Sequence, residues 1–182
     1  MISMLMIVLE VAAVLIIFWF INITISSFIG IPCLPTHRAQ ARKMIELARI
    51  QPGQTVIDLG AGHGRLLFLA AEAGAEAIGY ELNPILVLYI KIRALLSRQK
   101  KVRVYWRSLY KADVSRADTV FCFLFESYMR QVEEKLFAEM RPGAKIIAYV
   151  FSFPNKKFVL KTEGVRVYEV GSEMESKTGA VH

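Results

Sequence analysis

The stretch Thr55 to Arg65, TVIDLGAGHGR, decides the fold. Its β-branched start favours a buried strand, and three glycines on alternate positions follow Asp58. Apolar residues then recur at helical spacing from Leu66 to a stop at Gly74, which predicts a helix. The glycines therefore lie in the turn between a strand and the helix that follows it. Such a turn brings bare backbone N–H groups and a helix N-terminus close to a ligand, with no Cβ in the way.

The spacing of the glycines disfavours two common phosphate sites. A dinucleotide site has GxGxxG and a P-loop has GxxxxGK[ST], whereas this turn reads GxGxG. A carboxylate two residues before the first glycine would repel a pyrophosphate but suits a ligand that carries an ammonium group. S-adenosylmethionine fits, because it has an amino-acid end, a ribose and an adenine but no phosphate. The residues predicted to bind it in this turn are Asp58, Gly60, Ala61, Gly62 and Gly64.

The second predicted strand ends in an acidic residue. Residues 77–82 read AIGYEL, and Glu81 follows the glycines by about 20 residues, where a carboxylate can accept both ribose hydroxyls. Asn83, which opens the next helix, is included in the predicted cofactor site. Asp58 has an alternative as a turn or helix-capping residue, and Glu81 as a solvated strand-end carboxylate. Their order and spacing together favour the cofactor site.

Strands and helices alternate along the rest of the chain. A third strand is predicted at 102–106, and Ser108 and Leu109 after it either meet the adenine or form ordinary loop structure. A continuous apolar run at 118–125 predicts a central buried strand, and a fifth is predicted at 144–151. The pattern implies an α/β fold with a Rossmann-like, mostly parallel sheet and right-handed crossovers. Ligands of such sheets bind at the carboxyl ends of the strands.

The C-terminal part of the chain predicts an incomplete sheet. Residues 165–170, VRVYEV, read as a sixth strand. A seventh is expected after Gly179, but the chain stops at His182. We therefore expect a stunted or missing last strand, or a truncated sequence.

The N-terminal segment differs in composition from the rest. The chain is 54% hydrophobic, and 5–25 is nearly unbroken apolar sequence with Glu10 as its one charge. About 20 apolar residues can span a bilayer. No basic residue precedes the run, unlike in a signal peptide, and the basic residues after it place the next domain in the cytoplasm. We predict a single-pass anchor at 1–30, a linker and helix at 31–54, and a cofactor-binding domain at 55–182.

Charge, cysteines and histidines limit the partners. The net charge of +7 suits an anionic membrane surface or an acidic partner. The helix predicted after Pro84 has a basic face, which is either solvated or contacts a membrane or an acidic substrate. The sequence shows no nucleic-acid recognition motif, so no nucleic acid is expected to bind. Two distant cysteines and three unclustered histidines predict reduced thiols and no metal site.

Several segments together resemble a known enzyme family. The pattern D-x-G-x-G-x-G resembles the first motif of class I methyltransferases. The chain resembles the membrane-anchored lysine methyltransferases of the ATP synthase c-subunit and the adenine nucleotide translocase, and their shorter prokaryotic relatives. The segments that carry this resemblance are the N-terminal apolar segment, PCLPTHRAQ, VIDLGAGHGR, AIGYELNP, FLFESYMRQVEEKL and RPGAKIIAYVFSFP. The resemblance implies S-adenosylmethionine as the methyl donor and a lysine ammonium of a membrane protein as the acceptor. Ser108 departs from it, because relatives often carry an acidic residue there.

Glu126 is the candidate catalytic carboxylate. A lysine acceptor must lose a proton before an in-line displacement at the sulfonium, and Glu126 ends the predicted central strand on the cofactor side. It is equally well interpreted as an acid at the start of the next helix. Tyr128 either lines an acceptor channel or packs. No [DN]PP[FY] motif follows this strand, which argues against nucleobase methylation. A small-molecule or lipid methyltransferase and a non-catalytic cofactor-binding assembly protein remain as alternative functions.

Overall fold

The computed structural model describes residues 2–28 and 37–172, and in the first range it describes the side chains of residues 4–17, 19 and 20. The chain divides into two compact units, Met1–Cys33 and Leu34–His182. The first part of the predicted linker lies outside the described residues. So do the residues after Gly179, where the sequence predicts a last strand.

The first unit contains one helix, α1, Ile2–Phe28. Every side chain described in it is exposed. Among the described residues, no helix combines the length and the hydropathy of a membrane span. The predicted transmembrane helix therefore has no support from the described part of the chain.

The second unit is an α/β domain built on one seven-stranded sheet within residues 37–172. The strands are β1 Thr55–Leu59, β2 Glu76–Glu81, β3 Val102–Trp106, β4 Thr119–Cys122, β5 Lys145–Tyr149, β6 Leu160–Thr162 and β7 Val165–Glu169. The helices are α2 Arg38–Ala48, α3 Arg65–Glu72, α4 Pro84–Leu96 and α5 Glu126–Glu139, with a 3₁₀ turn at Leu109–Lys111. The strand order is β3-β2-β1-β4-β5-β7-β6. This confirms the predicted Rossmann-like fold.

The expectation of a missing last strand is wrong. Strands β1 to β5 are parallel, and β7 runs antiparallel between β5 and β6. The predicted sixth strand is thus β7, and the strand that the sequence analysis missed is β6. Leu160 and Lys161 of β6 are exposed, so this short edge strand has no buried apolar pattern to reveal it.

Strand β4 is shorter than predicted because it ends at the level where its neighbour β1 ends. Rather than continuing to residue 125, β4 stops at Cys122, whose partner in β1 is Leu59, the last residue of that strand. On the other side, Cys122 pairs with Ala148 of β5. Beyond this level the chain leaves the sheet and enters α5. The aromatic residues after Cys122 therefore belong to the carboxyl edge of the sheet.

Gly79 in β2 allows the glycine-rich turn to lie against the sheet. A Cβ at this position would be 2.6 Å from Cδ1 of Leu67 in α3 and 2.9 Å from Cβ of Ala61 in the turn. Both distances are shorter than side-chain carbons tolerate. Gly79 also pairs directly with Asp58 of β1. The absence of a side chain here sets the distance between the sheet, α3 and the turn.

We expect Gly79→Ala to lower the free energy of unfolding by about 1–3 kcal/mol, since overpacking a well-packed site has this cost. Chemical denaturation measures the change. In a Leu67→Ala background the same substitution should cost less, because the nearest clashing atom is gone. An equal cost in both backgrounds would contradict the packing argument.

Candidate cofactor-binding site

The predicted site residues gather at one edge of the sheet. Because β1, β2, β3 and β4 are parallel, their carboxyl ends point the same way. Asp58 lies near the end of β1, Glu81 ends β2, and Ser108 follows β3. Glu126 follows β4 and starts α5. The structure thus assembles residues from four strands at the edge where ligands of this fold bind.

The backbone N–H groups of the glycine-rich turn are bonded within the protein, so the prediction that they are bare is wrong. The N–H groups of Gly60 and Ala61 both donate to the carbonyl oxygen of Tyr80, at 2.9 and 3.1 Å. The N–H of Gly62 donates to Oε2 of Glu81 at 2.8 Å. The turn is held against the end of β2 by these bonds. It offers a ligand a closely approachable backbone surface rather than these N–H groups.

The turn nevertheless requires glycine. Gly60, Gly62 and Gly64 have φ angles of +83°, +54° and +72°, in the region that side chains disfavour. At Gly64 an added Cβ would also lie 2.9 Å from Cγ1 of Ile90 in α4. The glycines therefore allow the positive φ angles of the turn and, at Gly64, its close packing on α4.

Glu81 connects two turns through its carboxylate. Oε1 accepts the N–H groups of Leu82 and Asn83, and Oε2 accepts that of Gly62, each at 2.8 Å. A carboxylate offers about four acceptor positions, so Oε2 keeps one for a ligand hydroxyl. The side chain is only partly buried, which leaves it accessible. This geometry fits the predicted contact with a ribose.

Asn83 has a structural role at the start of α4. Its Oδ1 accepts the N–H groups of Ile85 at 2.9 Å and Leu86 at 3.4 Å, which caps the helix. Pro84 occupies the first helical position. This capping fixes the turn that follows Glu81, and any contact of Asn83 with a cofactor remains a prediction.

Asp58 is a buried carboxyl group beside the turn, with 4% of its surface exposed. Burial raises the pKa of Asp58 well above its usual range, and the neighbouring charge of Glu81 raises this pKa further. Burial also raises the pKa of the adjacent Cys122 thiol, and Asp58 adds to that shift. A cationic group of a ligand near Asp58 would favour the ionised carboxylate. The site is therefore electrostatically suited to an ammonium.

Tyr110, in the loop after β3, and Tyr128 of α5 lie close enough to interact electrostatically. Ser108 caps the 3₁₀ turn by accepting the N–H of Tyr110, and Leu109 is buried. Burial raises the pKa of Tyr110, and Tyr128 nearby adds to the shift. The structure thus brings the predicted adenine loop and Tyr128 to one neighbourhood.

Glu126 is exposed at the first position of α5. It lies where an acid also stabilises the positive end of the helix dipole, so both interpretations of its role still apply. Among the described residues, no cluster of three His, Cys, Asp or Glu side chains could hold a metal ion.

Aromatic residues at the carboxyl ends of β4 and β5 were not identified from the sequence as part of the site. The rings of Phe123 and Tyr149 have their centroids 4.9 Å apart, and those of Phe125 and Phe151 are 6.3 Å apart. They follow β4 and end or follow β5, which are neighbouring strands. Aromatic residues in the last positions of the two predicted strands, 118–125 and 144–151, were the available signal. They add aromatic surface to the carboxyl edge of the sheet, and Phe125 directly precedes the candidate carboxylate in the chain.

We expect the free energy of unfolding to reveal the raised pKa of Asp58. Between its unfolded pKa, about 3.9, and the higher folded pKa, the folded state binds more protons, so this group's contribution to stability falls as pH rises. Asp58→Asn should therefore gain stability relative to the wild type with rising pH. Denaturation curves at several pH values measure this difference.

Asp113→Asn provides the opposite control. A hydrogen bond from the Ser115 hydroxyl, first among several causes, lowers the pKa of the exposed Asp113. Its ionised form stabilises the folded state above the unfolded pKa, so this variant should lose stability relative to the wild type as pH rises. A pH profile of Asp58→Asn that runs parallel to the wild type would contradict the assignment.

A profile of the ANTKMT methyltransferase domain matches residues 58–159. The matched region contains the glycine-rich turn, Glu81, Ser108 and Glu126. It therefore covers all the strand ends that form the candidate site.

Two characterised relatives are lysine methyltransferases. The ATP synthase c-subunit lysine N-methyltransferase of Xenopus laevis is 37% identical over 126 residues, which cover 69% of this chain and 55% of that protein. A protein-lysine N-methyltransferase of Saccharolobus islandicus is 30% identical over 143 residues, which cover 73% of this chain and 86% of that protein. The chain thus spans about half the length of the vertebrate ATP synthase relatives that it matches.

A solved structure shares the fold of the second unit. The RNA methyltransferase from Salinibacter ruber, in complex with S-adenosyl-L-homocysteine, superposes with a TM-score of 0.72 at 27% identity. The match covers 78% of this chain and 97% of that one.

Proposed function

Because the chain belongs to the family of the ANTKMT methyltransferase domain, we propose that it transfers a methyl group from S-adenosylmethionine to a lysine side chain of a protein. The observation that carries this proposal is the placement of Asp58 and Glu81 on either side of the glycine-rich turn. A buried carboxylate and a hydroxyl-accepting carboxylate match the ammonium group and the ribose of that cofactor. Both known relatives named above are lysine methyltransferases.

The residues present fit the cofactor. Glu81 would accept a ribose hydroxyl through the open position on Oε2, and the glycines allow the ligand close to the backbone. Asp58 would face the ammonium group, directly or through a water. Ser108 and Leu109 would border the adenine. When bound, S-adenosylmethionine would supply an activated methyl group on a sulfonium.

Glu126 would orient the acceptor and take its proton. An uncharged amine is needed for the in-line displacement, and an exposed carboxylate at the carboxyl edge of the sheet can hold the ammonium before it loses its proton. The aromatic pairs Phe123–Tyr149 and Phe125–Phe151 would pack on the aliphatic part of a lysine. Their ring faces also attract a methylated ammonium. Tyr128 would border the same channel.

RNA is a second candidate acceptor, favoured by the likeness to the Salinibacter protein. The sequence after β4 reads FLFESY and lacks the [DN]PP[FY] motif of nucleobase methylation. An acceptor assay that offers RNA and membrane proteins in parallel separates the two.

We expect cofactor binding and methyl transfer to respond to different substitutions. Asp58→Asn and Glu81→Gln should weaken S-adenosylmethionine binding by about tenfold or more, because each removes a charge-assisted contact. Glu126→Gln should leave binding within about twofold but lower turnover by about 10²–10⁴, the usual contribution of a general base. Calorimetry and transfer of a radiolabelled methyl group measure the two effects.

Glu139→Gln on α5 is the matched control for Glu126, since it removes a carboxylate from the same helix at its far end. It should retain full turnover. Normal transfer by Glu126→Gln would remove that residue from the mechanism. Failure of the folded wild type to bind S-adenosylmethionine would overturn the proposed function.

Membrane attachment through α1 is a further part of this proposal. The described side chains of α1 are apolar except Glu10, and all are exposed; Leu5, Ile7 and Leu15 each expose about 60% of their surface. A helix with such a surface favours contact with a nonpolar environment. The basic residues that follow would keep the second unit on the cytoplasmic side.

We expect the full chain to sediment with membranes and to resist alkaline carbonate extraction. Val11→Lys combined with Leu15→Lys should move it into the soluble fraction, because charged groups are costly in the hydrocarbon region. Glu72→Lys, on the exposed surface of the second unit, should not. Recovery of the wild type in the soluble fraction would contradict membrane attachment.

A further inference from the structure

The outward face of α4 is apolar. Five aliphatic or aromatic residues of this helix expose their side chains, and we call them the α4 stripe: Leu88 at 56%, Tyr89 at 47%, Ile92 at 48%, Leu95 at 77% and Leu96 at 78%. At about 3.6 residues per turn they fall within an arc of about 120°. Val87 and Ile90, on the opposite side, are buried against the sheet. The helix is therefore apolar on both its buried and its exposed sides.

Positive charge surrounds the α4 stripe. Residues 84–107 contain seven basic residues and no acidic residue. Lys91 and Arg93 lie on the two flanks of the stripe, and Arg98 and Lys100 follow the end of the helix; all four are exposed. Within the part of the chain that the structure describes, Lys91, Arg98 and Lys100 form no ion pair. An anionic partner would complement this arrangement.

A second copy of the chain does not fit this face. In a two-fold interface the same patch meets itself, so the basic flanks of one copy would face the basic flanks of the other. No acidic residue in 84–107 would offset that repulsion. Nucleic acid fits the charge but not the aliphatic residues Leu88, Ile92, Leu95 and Leu96. Nucleic acids are bound through basic residues on the phosphates and aromatic rings on the bases, so exposed leucine and isoleucine would not contribute to binding.

We propose that the α4 stripe docks the second unit on an anionic lipid bilayer. A surface-lying helix places its aliphatic side chains about 5–10 Å deep, at the boundary of headgroups and acyl chains, while its basic flanks meet lipid phosphates. Lys91 occupies one flank, and Arg93, whose guanidinium lies 3.9 Å from the centre of the Phe68 ring, occupies the other. Two independent features, exposed aliphatics and one-signed charge, thus point to the same partner. This contact involves residues of the second unit only.

Trp106 extends the surface toward the candidate site. Its side chain is 67% exposed, and its indole Nε1 donates to the carbonyl oxygen of Leu82, at 2.9 Å, just before α4. Tryptophan favours the headgroup level of membranes. Because Glu81 directly precedes this point, docking through Trp106 and the first turns of α4 would bring the carboxyl edge of the sheet next to the bilayer. An acceptor lysine near a membrane surface would then be within reach of the site.

The docked state can be measured on the full chain with a probe on the α4 stripe. An environment-sensitive fluorophore is attached to Ile92→Cys in a Cys33→Ser background, where the remaining Cys122 is buried. The protein is added to vesicles of phosphatidylcholine, with or without phosphatidylserine, and iodide quenching reports exposure to water. A probe at Glu134→Cys, an exposed position on α5, is the control.

We expect iodide to reach the probe at position 92 on neutral vesicles and to be excluded on phosphatidylserine vesicles, with exposure restored by high salt. The probe at position 134 should stay accessible throughout. Replacing Lys91, Arg98 and Lys100 by glutamine should lower the ratio of docked to undocked protein about 100-fold, since each basic group near an anionic surface contributes about fivefold. Leu95→Gln with Leu96→Gln should abolish protection without unfolding the protein, because both side chains are exposed.

Three results would overturn the proposal. The first is equal quenching at position 92 on both kinds of vesicle. The second is protection without lipid that grows with protein concentration, which would assign the face to a second copy. The third is protection by RNA but not by vesicles. Each leaves S-adenosylmethionine binding intact, so failure of the docking proposal is distinguishable from failure of the proposed function.

Discussion

The carboxylate of Glu81 holds the candidate site together. It accepts the N–H of Gly62 from one turn and those of Leu82 and Asn83 from another, each at 2.8 Å. Charge-assisted bonds of this kind are worth more than neutral ones. They join the turn after β1 to the start of α4, so the position of one element depends on the other. The shape of the site is therefore set by the protein alone, before any ligand enters, and this preorganisation lowers the cost of binding.

The placement of two carboxyl groups at adjacent strand ends is unfavourable for stability. Asp58 is buried, and both burial and the charge of Glu81 raise its pKa. A fold selected for stability alone would replace one of these groups. An arrangement that opposes stability at the carboxyl edge of a parallel sheet is typical of a functional site. A bound cation would offset the repulsion between the two carboxylates. The affinity for a positively charged ligand therefore increases by the stability that this repulsion costs the free protein.

The sequence predicted what local patterns determine and missed what tertiary contacts determine. Strand β1, the glycine-rich turn and α3 follow from residue type and spacing, and the structure contains them. The bonds of the turn to Tyr80 were not predictable, because they depend on how β2 lies beside β1. Strand β6 has an exposed, mixed sequence without periodicity. One signal for it was present: Glu163 and Gly164 have φ of +48° and +78°, as a two-residue hairpin turn requires, and glycine favours the second position of that turn.

Helix α4 illustrates why an exposed apolar face is hard to find from sequence. Residues 84–96 predict a basic face on this helix, but nothing in their spacing predicts that Leu88, Leu95 and Leu96 are exposed beside that face. The topology explains the difference: α4 packs near β3, the edge strand of the sheet, and no further helix within residues 37–172 covers it. The leucines at 95 and 96 are thus exposed by the architecture and not by a local defect. Exposed aliphatic residues favour aggregation in water, whereas the same residues, flanked by basic side chains, stabilise contact with an anionic interface. The position of α4 beside the edge strand leaves this face uncovered, and the same position therefore makes the face available to a membrane.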